Sequence, residues 1–206
     1  MQKPNLDLEK EASKKGFNIV AGLDEAGRGP LAGPLVVACV ILGECWCDNN
    51  TLNDSKKISQ KKREHLFELI TKKALAYKIV SISPKEIDRL NILQATLYGM
   101  YRCLKEIKPI PDYALVDGNH FPKTQIMGKS VIRGDSISKS IAAASILAKV
   151  TRDRFMVNSA KNFPEWSFEK HKGYPTKLHR ELIFQYGLTP LHRKTFNKKL
   201  NQLNLF

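Results

Sequence analysis

The stretch NIVAGLDEAGRGPLAGPLVVACVIL (residues 18–42) decides the reading of this chain. Residues 18–23 and 35–42 are apolar, carry β-branched side chains and are flanked by glycines, which predicts two buried strands. Between them lies DEAGRGPLAGP, a turn-rich segment that opens on two adjacent acids, Asp24 and Glu25. A carboxylate at the exit of a buried strand is desolvated and costly unless it holds a cation or a partner. Two more acids stand in the same situation. Asp117 ends the run YALV, and Asp135 ends SVIRG and opens a long helical pattern. Any one of them alone reads as a turn residue or a helix cap. Together they suggest a cage for a hard divalent metal.

The rest of the composition bears on what such a cage would act upon. The chain has 206 residues, enough for one sizeable domain with a proper core. Lys plus Arg is 34 and Asp plus Glu is 20, a formal charge of +14 spread along the sequence rather than confined to a tail. That balance fits a polyanionic partner, nucleic acid first, over a basic surface kept only for solubility. A carboxylate cage inside a basic protein points to metal-assisted chemistry on a phosphodiester. Cys39 sits in an apolar run and reads as a core hydrophobe. Cys45 and Cys47 are one residue apart, a poor spacing for a zinc knuckle, and with Cys103 all four read as reduced thiols. The start, MQKPNLDLEKEASKKG, has no apolar stretch of signal-peptide length. The longest apolar run, Leu35 to Leu42, is far short of the roughly 20 residues a bilayer span needs. A soluble, cytoplasmic protein with no membrane partner is expected.

Along the chain, residues 1–16 predict a short helix or a frayed end. Residues 59–76 carry a helix signature, with Ser59 as cap and Leu66, Leu69, Ile70 and Ala74 on one face. Residues 77–83 read as a strand. Ser83, Pro84 and Glu86 then form a capping-box start. Asn91 opens another helix, with Leu93, Leu97, Met100, Tyr101 and Leu104 on one stripe, ended by Pro109 and Pro111. Residues 114–116 and 125–134 read as strands. Helical spacing resumes from Ser136 to Ala160 (Ile137, Ile141, Ala144, Ala148, Thr151, Phe155), and the small residues Ala142 to Ser145 allow close packing on a sheet. Thr176 to Tyr186 is a last helix, stopped by Gly187. The order is that of an α/β fold with a mixed sheet.

Hydrolysis through two metal ions needs about this inventory of carboxylates. Adjacent Asp24 and Glu25 point to opposite faces of a regular strand, so the following Ala-Gly-Arg-Gly is expected to twist the chain and present both. Gly27-Arg28-Gly29 permits close backbone approach, and successive N–H groups there can hold phosphate or sugar oxygens. Lys56 in DSKK, and Lys149, Arg152 and Arg154, supply cations near helix ends, where a basic residue is most often a solvated face; Asp153 is expected to pair with one of the arginines. Tyr174, in HKGY from His171, can stack on a sugar or base, or pack under a loop.

Seven segments together resemble ribonuclease HII, of the ribonuclease-H-like superfamily: LDEAGRGPLAGPLVVACVIL, NDSKKIS, IDRLNILQATLYGM, ALVDGNH, GDSISKSIAAASILAKVTRDRFM, KHKGYPTKLH and LHRKTF. They fall in the family's order and cover most of residues 20–196. The resemblance implies a ribonuclease-H-like mixed β-sheet flanked by helices. It implies a catalytic core over residues 1–160 and a helical C-terminal part over 161–206 closing over the substrate, as one compact unit. It implies catalytic, metal-binding acids at Asp24, Glu25, Asp117 and Asp135, with Mg²⁺ or Mn²⁺. Gly27, Arg28 and Gly29 would recognise a ribonucleotide's 2′-OH, the group that separates RNA from DNA. Tyr174 would stack at the deoxyribose that follows. The implied substrates are RNA–DNA hybrids and duplex DNA containing ribonucleotides, cut by a monomer on the 5′ side of the ribonucleotide. One departure shows: Pro175 follows Tyr174 where the family usually has glycine, and proline holds the preceding residue extended.

Two other readings share parts of this inventory. A different nuclease or strand-transfer enzyme on the same fold would keep the acids without the 2′-OH filter. A non-catalytic basic binding module would explain the charge but leave the acids without a purpose. Chemistry on His171 or His179 is disfavoured, because neither is tied by spacing to the acids.

Overall fold

A computed structural model describes residues 3–43, 46 and 58–197. Lys56, Cys45, Cys47 and the basic stretch from residue 198 lie outside the described residues. The chain runs α1 (Asp7–Lys14), β1 (Val20–Ala26), β2 (Leu35–Ile41), α2 (Gln60–Lys73), β3 (Ala76–Ile82), α3 (Pro84–Leu90), α4 (Ile92–Glu106), β4 (Tyr113–Asp117), β5 (Met127–Val131), α5 (Lys139–Ser159), α6 (Phe168–His171) and α7 (Lys177–Tyr186). The strands form one sheet in the order β3-β2-β1-β4-β5. The hairpin side, β1 with β2 and β2 with β3, is antiparallel. β1 with β4 and β4 with β5 are parallel. The sheet is therefore mixed, and its two central parallel strands end side by side, one in Asp24-Glu25-Ala26 and the other in Asp117.

Strand β2 is buried on both faces, and its alternation sorts the two cores. Leu35, Val37, Cys39 and Ile41 pack with Ile87, Ala95, Met100, Cys103 and Leu104 of α3 and α4. Val36, Ala38 and Val40 pack with Leu66 and Ile70 of α2 and with Ala142 to Ala144 of α5. Local signals set the helix starts. The hydroxyls of Ser59, Ser83 and Thr176 and the amide oxygen of Asn91 accept backbone N–H groups of α2, α3, α7 and α4, and Ser83 with Glu86 completes a capping box.

The contact face of α4 differs from the expected stripe. Ala95, Gly99 and Cys103 lie on the sheet with Met100 and Leu104, whereas Tyr101 faces solvent. Small side chains win because the helix sits so near the sheet that a Cβ at Gly99 would meet Val37 Cγ2 at 2.6 Å. The long helix starts later than its spacing implies. Residues 134–136 form a single 3₁₀ turn, and Ser138 caps α5 by accepting the Ile141 N–H. α5 then lies directly on β1: a Cβ at Gly22 would meet the Ser140 carbonyl carbon at 2.1 Å. Only a residue without a side chain allows that approach.

The N-terminal segment is a short helix with a bracing role. Glu9 Oε1 accepts from Ser138 Oγ at 2.6 Å, Ser140 Oγ at 2.7 Å and Ser140 N at 3.0 Å, so an anion sits at the positive end of α5. The Asn5 backbone donates to Ile137 and accepts from Lys139, both at 2.9 Å. The turn that carries Asp135 is strapped from both sides.

Candidate active site

Asp24 is the penultimate inward residue of β1 on the face that meets α5. It is 5% exposed, and its carboxylate accepts the Glu25 N–H at 2.7 Å and the hydroxyl of Ser145 from α5. Burial first, then the charges of Glu25 and Asp117, raise the Asp24 carboxyl well above the usual carboxylate range. β1 stays paired with β2 through Ala26, so no backbone twist at Ala-Gly-Arg-Gly brings the two acids together. Asp24 and Glu25 instead reach one cleft that lies across the strand's end. Glu25 Oε1 stands 3.5 Å from Arg28 Nη1.

One strand over, Asp117 ends β4 beside Val131 of β5. Its Oδ1 accepts the Gly134 N–H at 2.6 Å, which fastens the 3₁₀ turn to the strand end. Asp135, 5% exposed, is the next residue after that donor. Asp24 and Glu25 at the exit of β1, and Asp117 with the turn that carries Asp135 at the exit of β4, thus stand at the ends of two adjacent parallel strands, and the cleft beside them is lined by the first two. Among the described residues, no three carboxylate, imidazole or thiol side chains already close a cage around one ion. The donor set nevertheless suits a hard divalent cation. It is all oxygen, and the burial and neighbouring charges of Glu25 and Asp117 that raise the Asp24 carboxyl are what a cation among these carboxylates would offset.

The cleft has a volume of about 430 Å³ and is lined by Asp24, Glu25, Gly27, Arg28, Lys149 and Tyr174, with Ala26 and Ser145. Lys149 pairs with Asp153 at 2.8 Å, one turn on along α5, so the partner of Asp153 is the lysine and not an arginine. Lys149 Nζ and the Arg152 guanidinium lie 5.5 and 5.4 Å from the Tyr174 ring centre. Tyr174 is 36% exposed and keeps its place in the cleft with Pro175 behind it. Gly27 has φ +102, and a Cβ there would meet Arg152 Nε at 2.2 Å; at Gly29 a Cβ would meet nothing within 4 Å. The first glycine closes the loop against the protein. The second leaves its outer side open to a ligand.

Two arginines that the sequence does not mark as special hold this loop, and both are 0% exposed. Arg152 donates to the carbonyls of Pro34, Ala32 and Lys172, each at 3.0 Å. Arg193 donates to Gly33 O at 3.0 and 2.9 Å, Arg28 O at 3.1 Å and Gly27 O at 2.6 Å. Ser145 is the other residue that sequence reading missed, since a serine among alanines signals only close packing. Arg154 behaves as expected of a solvated face and pairs with Glu64. Cys39 and Cys103 are buried free thiols, and for Cys39 the surrounding apolar run implies that burial.

A mixed sheet in this order, with acids at the exits of its parallel pair, belongs to the ribonuclease-H-like class of nucleases. The ribonuclease H2 of Pyrococcus horikoshii OT3 has the same fold at TM-score 0.76 and 28% identity, covering 90% of this chain and 98% of that one. A ribonuclease HII of Archaeoglobus fulgidus, solved in a complex with PCNA, aligns at TM-score 0.69 and 28% identity over 85% of this chain and 94% of that one. The ribonuclease HII of Clostridioides difficile strain 630 is 49% identical over 193 residues, 94% of this chain and 75% of that one. The family model described as ribonuclease HII matches residues 21–199, and the chain belongs to that family. It is accordingly a metal-dependent hydrolase of the ribonuclease H type, which acts on RNA–DNA hybrids. No helix among the described residues is long and apolar enough to cross a membrane.

Proposed function

We propose that the enzyme hydrolyses the RNA strand of hybrids and also cuts on the 5′ side of ribonucleotides embedded in duplex DNA, leaving a 3′-hydroxyl and a 5′-phosphate, with two Mg²⁺ or Mn²⁺ ions. The observation that carries this reading is the meeting, in one cleft, of Asp24 and Glu25 with the glycine loop, Lys149 and Tyr174. Asp24, Glu25, Asp117 and Asp135 would hold the ions. When bound, such ions supply Lewis acidity toward the scissile phosphate and lower the pKa of water. Ser145 and the Glu25 N–H keep the Asp24 carboxylate aimed at that place. The Gly27-Arg28-Gly29 backbone takes the 2′-OH, a donor and acceptor that deoxyribose lacks. Tyr174 stacks on the following deoxyribose, and Lys149 faces the phosphate between them; Lys56 keeps a substrate-binding role in the proposal. The helical part that begins at residue 161 closes over the duplex, and the enzyme works as a cytoplasmic monomer.

A labelled duplex with one embedded ribonucleotide tests the reading. We expect a single cut 5′ of the ribonucleotide, none in the all-DNA duplex, and none with EDTA. Equal cutting of the all-DNA duplex overturns the 2′-OH filter.

A partner of the PCNA kind, named for the Archaeoglobus relative, accompanies this reading. Residues 198–206, KKLNQLNLF, combine Leu200, Leu203, Leu205 and Phe206 with two lysines, the make-up of a short peptide that docks apolar side chains in a groove. Removing them should leave cleavage of a short duplex in place and abolish co-elution with PCNA. A truncated chain that still co-elutes refutes this use of the segment.

A further inference from the structure

Tyr174 stands between α6 and α7, and three buried imidazoles lie beneath its backbone. His171, His179 and His192 are 7%, 0% and 3% exposed. Their hydrogen-bond partners fix where each proton sits. Thr189 N lies 2.9 Å from His192 Nδ1, and a backbone N–H only donates, so that nitrogen is bare and the proton is on Nε2. His192 Nε2 lies 3.1 Å from His179 Nε2, which must then accept. The His179 proton is therefore on Nδ1, where it donates to the Tyr174 carbonyl at 2.9 Å. The result is a one-way chain: Thr189 N–H to His192, His192 to His179, His179 to Tyr174. His171 stacks on His179 with ring centres 4.0 Å apart. It is satisfied separately, accepting from Gly173 N at 3.1 Å and donating to Trp166 O at 2.8 Å. Every ring nitrogen has a partner in the neutral state, the Thr189 hydroxyl also standing 2.9 Å from His192 Nδ1. Burial agrees with this assignment, holding His179 down to about 3 and His192 to about 4.

We propose that His179 and His192 are positioning residues for Tyr174, and that their directional chain sets how strongly the enzyme prefers a ribonucleotide–deoxyribonucleotide junction over a uniform RNA strand. This rests on the junction role given to Tyr174 above. The tyrosine is restrained from three sides. Lys149 and Arg152 lie near its ring, Pro175 limits its backbone, and the imidazole chain anchors its carbonyl, which also accepts from Thr176 N at 2.8 Å. A ring that must stack on one sugar tolerates little sideways movement, whereas phosphate contacts along a uniform hybrid tolerate more.

Two near-isosteric variants of one residue separate the links. In His179→Asn the amide takes the place of Nδ1, so donation to Tyr174 survives and the bond to His192 is lost. In His179→Gln the amide takes the place of Nε2, so the reverse holds. The readout is kcat/KM on a single-ribonucleotide duplex divided by kcat/KM on a uniform RNA–DNA hybrid. We expect His179→Asn to stay within about twofold of wild type and His179→Gln to lose about tenfold of the ratio, the worth of one buried hydrogen bond. Tyr174→Ala is the control. If it leaves the ratio unchanged, the junction role of Tyr174 fails. If it lowers the ratio while His179→Gln matches wild type, that role stands and the positioning chain fails. Equal losses in both His179 variants mark the histidines as packing groups only and overturn the proposal, as does a fall in turnover that leaves the ratio intact. Should His179→Gln not fold, His192→Asn removes the donor that keeps the His179 proton on Nδ1, a control that His179→Asn does not need; it should lower the same ratio, and an unchanged ratio refutes the chain.

Discussion

Replacing Asp24 or Asp117 with asparagine is expected to abolish cleavage, with a loss of at least about a thousandfold in turnover, while binding of the hybrid survives. The magnitude follows from the several kcal/mol that metal-assisted charge stabilisation contributes to phosphate chemistry. Asparagine keeps the shape and an accepting oxygen, so the Asp24 variant still receives the Glu25 N–H and the Ser145 hydroxyl. What it loses is the charge. The Asp24 change should also stabilise the metal-free protein. The Asp24 carboxyl is held well above its ordinary range by burial and by Glu25 and Asp117, so the folded protein without metal carries repulsion that the unfolded chain lacks. Relieving about 1 kcal/mol of it raises the melting temperature by about 2–4 °C in a chain of this size. Loss of activity together with a gain in stability is the pattern of a functional group kept against the fold's interest. Single-turnover cleavage, duplex anisotropy and a thermal melt in EDTA measure all three. A variant that is less stable than wild type and cleaves normally would remove that acid from the site.

The sequence made the acids legible because each interrupts an apolar run, and a charge there demands a reason. It made the helix starts legible because capping is local: Ser59, Ser83, Asn91 and Thr176 act within three residues of themselves. It did not reveal the groups that hold the site in place. Arg152 and Arg193 look like ordinary members of a basic set, yet they are fully buried, and all but one of the carbonyls they grip lie more than a hundred residues away along the chain. No local pattern marks an arginine whose partners are backbone oxygens. Glu9 was hidden for the same reason, since its three donors all lie beyond residue 137. The face of α4 was misjudged by ranking side chains on apolar size, whereas closeness to the sheet selected the smallest. Local chemistry singled out the acids proposed to react; tertiary contacts supply what orients them.

The buried arginines also fix the glycine turn, and with the sugar-reading role proposed for that turn they carry the second large effect. Arg193 draws the carbonyls of Gly27, Arg28 and Gly33 inward, and Arg152 does the same for Ala32 and Pro34. In a trans peptide the N–H points opposite to its C=O. The carbonyls of Gly27 and Arg28 face the guanidinium, so the N–H groups of Arg28 and Gly29 face away from it, on the side left open at Gly29. Arg193→Met keeps much of the volume but leaves these carbonyls buried without a donor. We expect it to cost about 3–5 kcal/mol, the range for breaking a buried charged interaction, and to lower the melting temperature by roughly 10–15 °C. Arg193→Lys is the sharper probe. Lysine keeps the charge, but a single ammonium cannot reproduce the planar fork that reaches three carbonyls at fixed angles. The lysine variant should fold, bind the duplex, and lose at least about tenfold in kcat/KM on the single-ribonucleotide substrate, because misaimed N–H groups no longer meet the 2′-OH. If Arg193→Lys cleaves that substrate as wild type does, the loop's aim does not depend on the guanidinium, and the sugar must be read by other groups in the cleft.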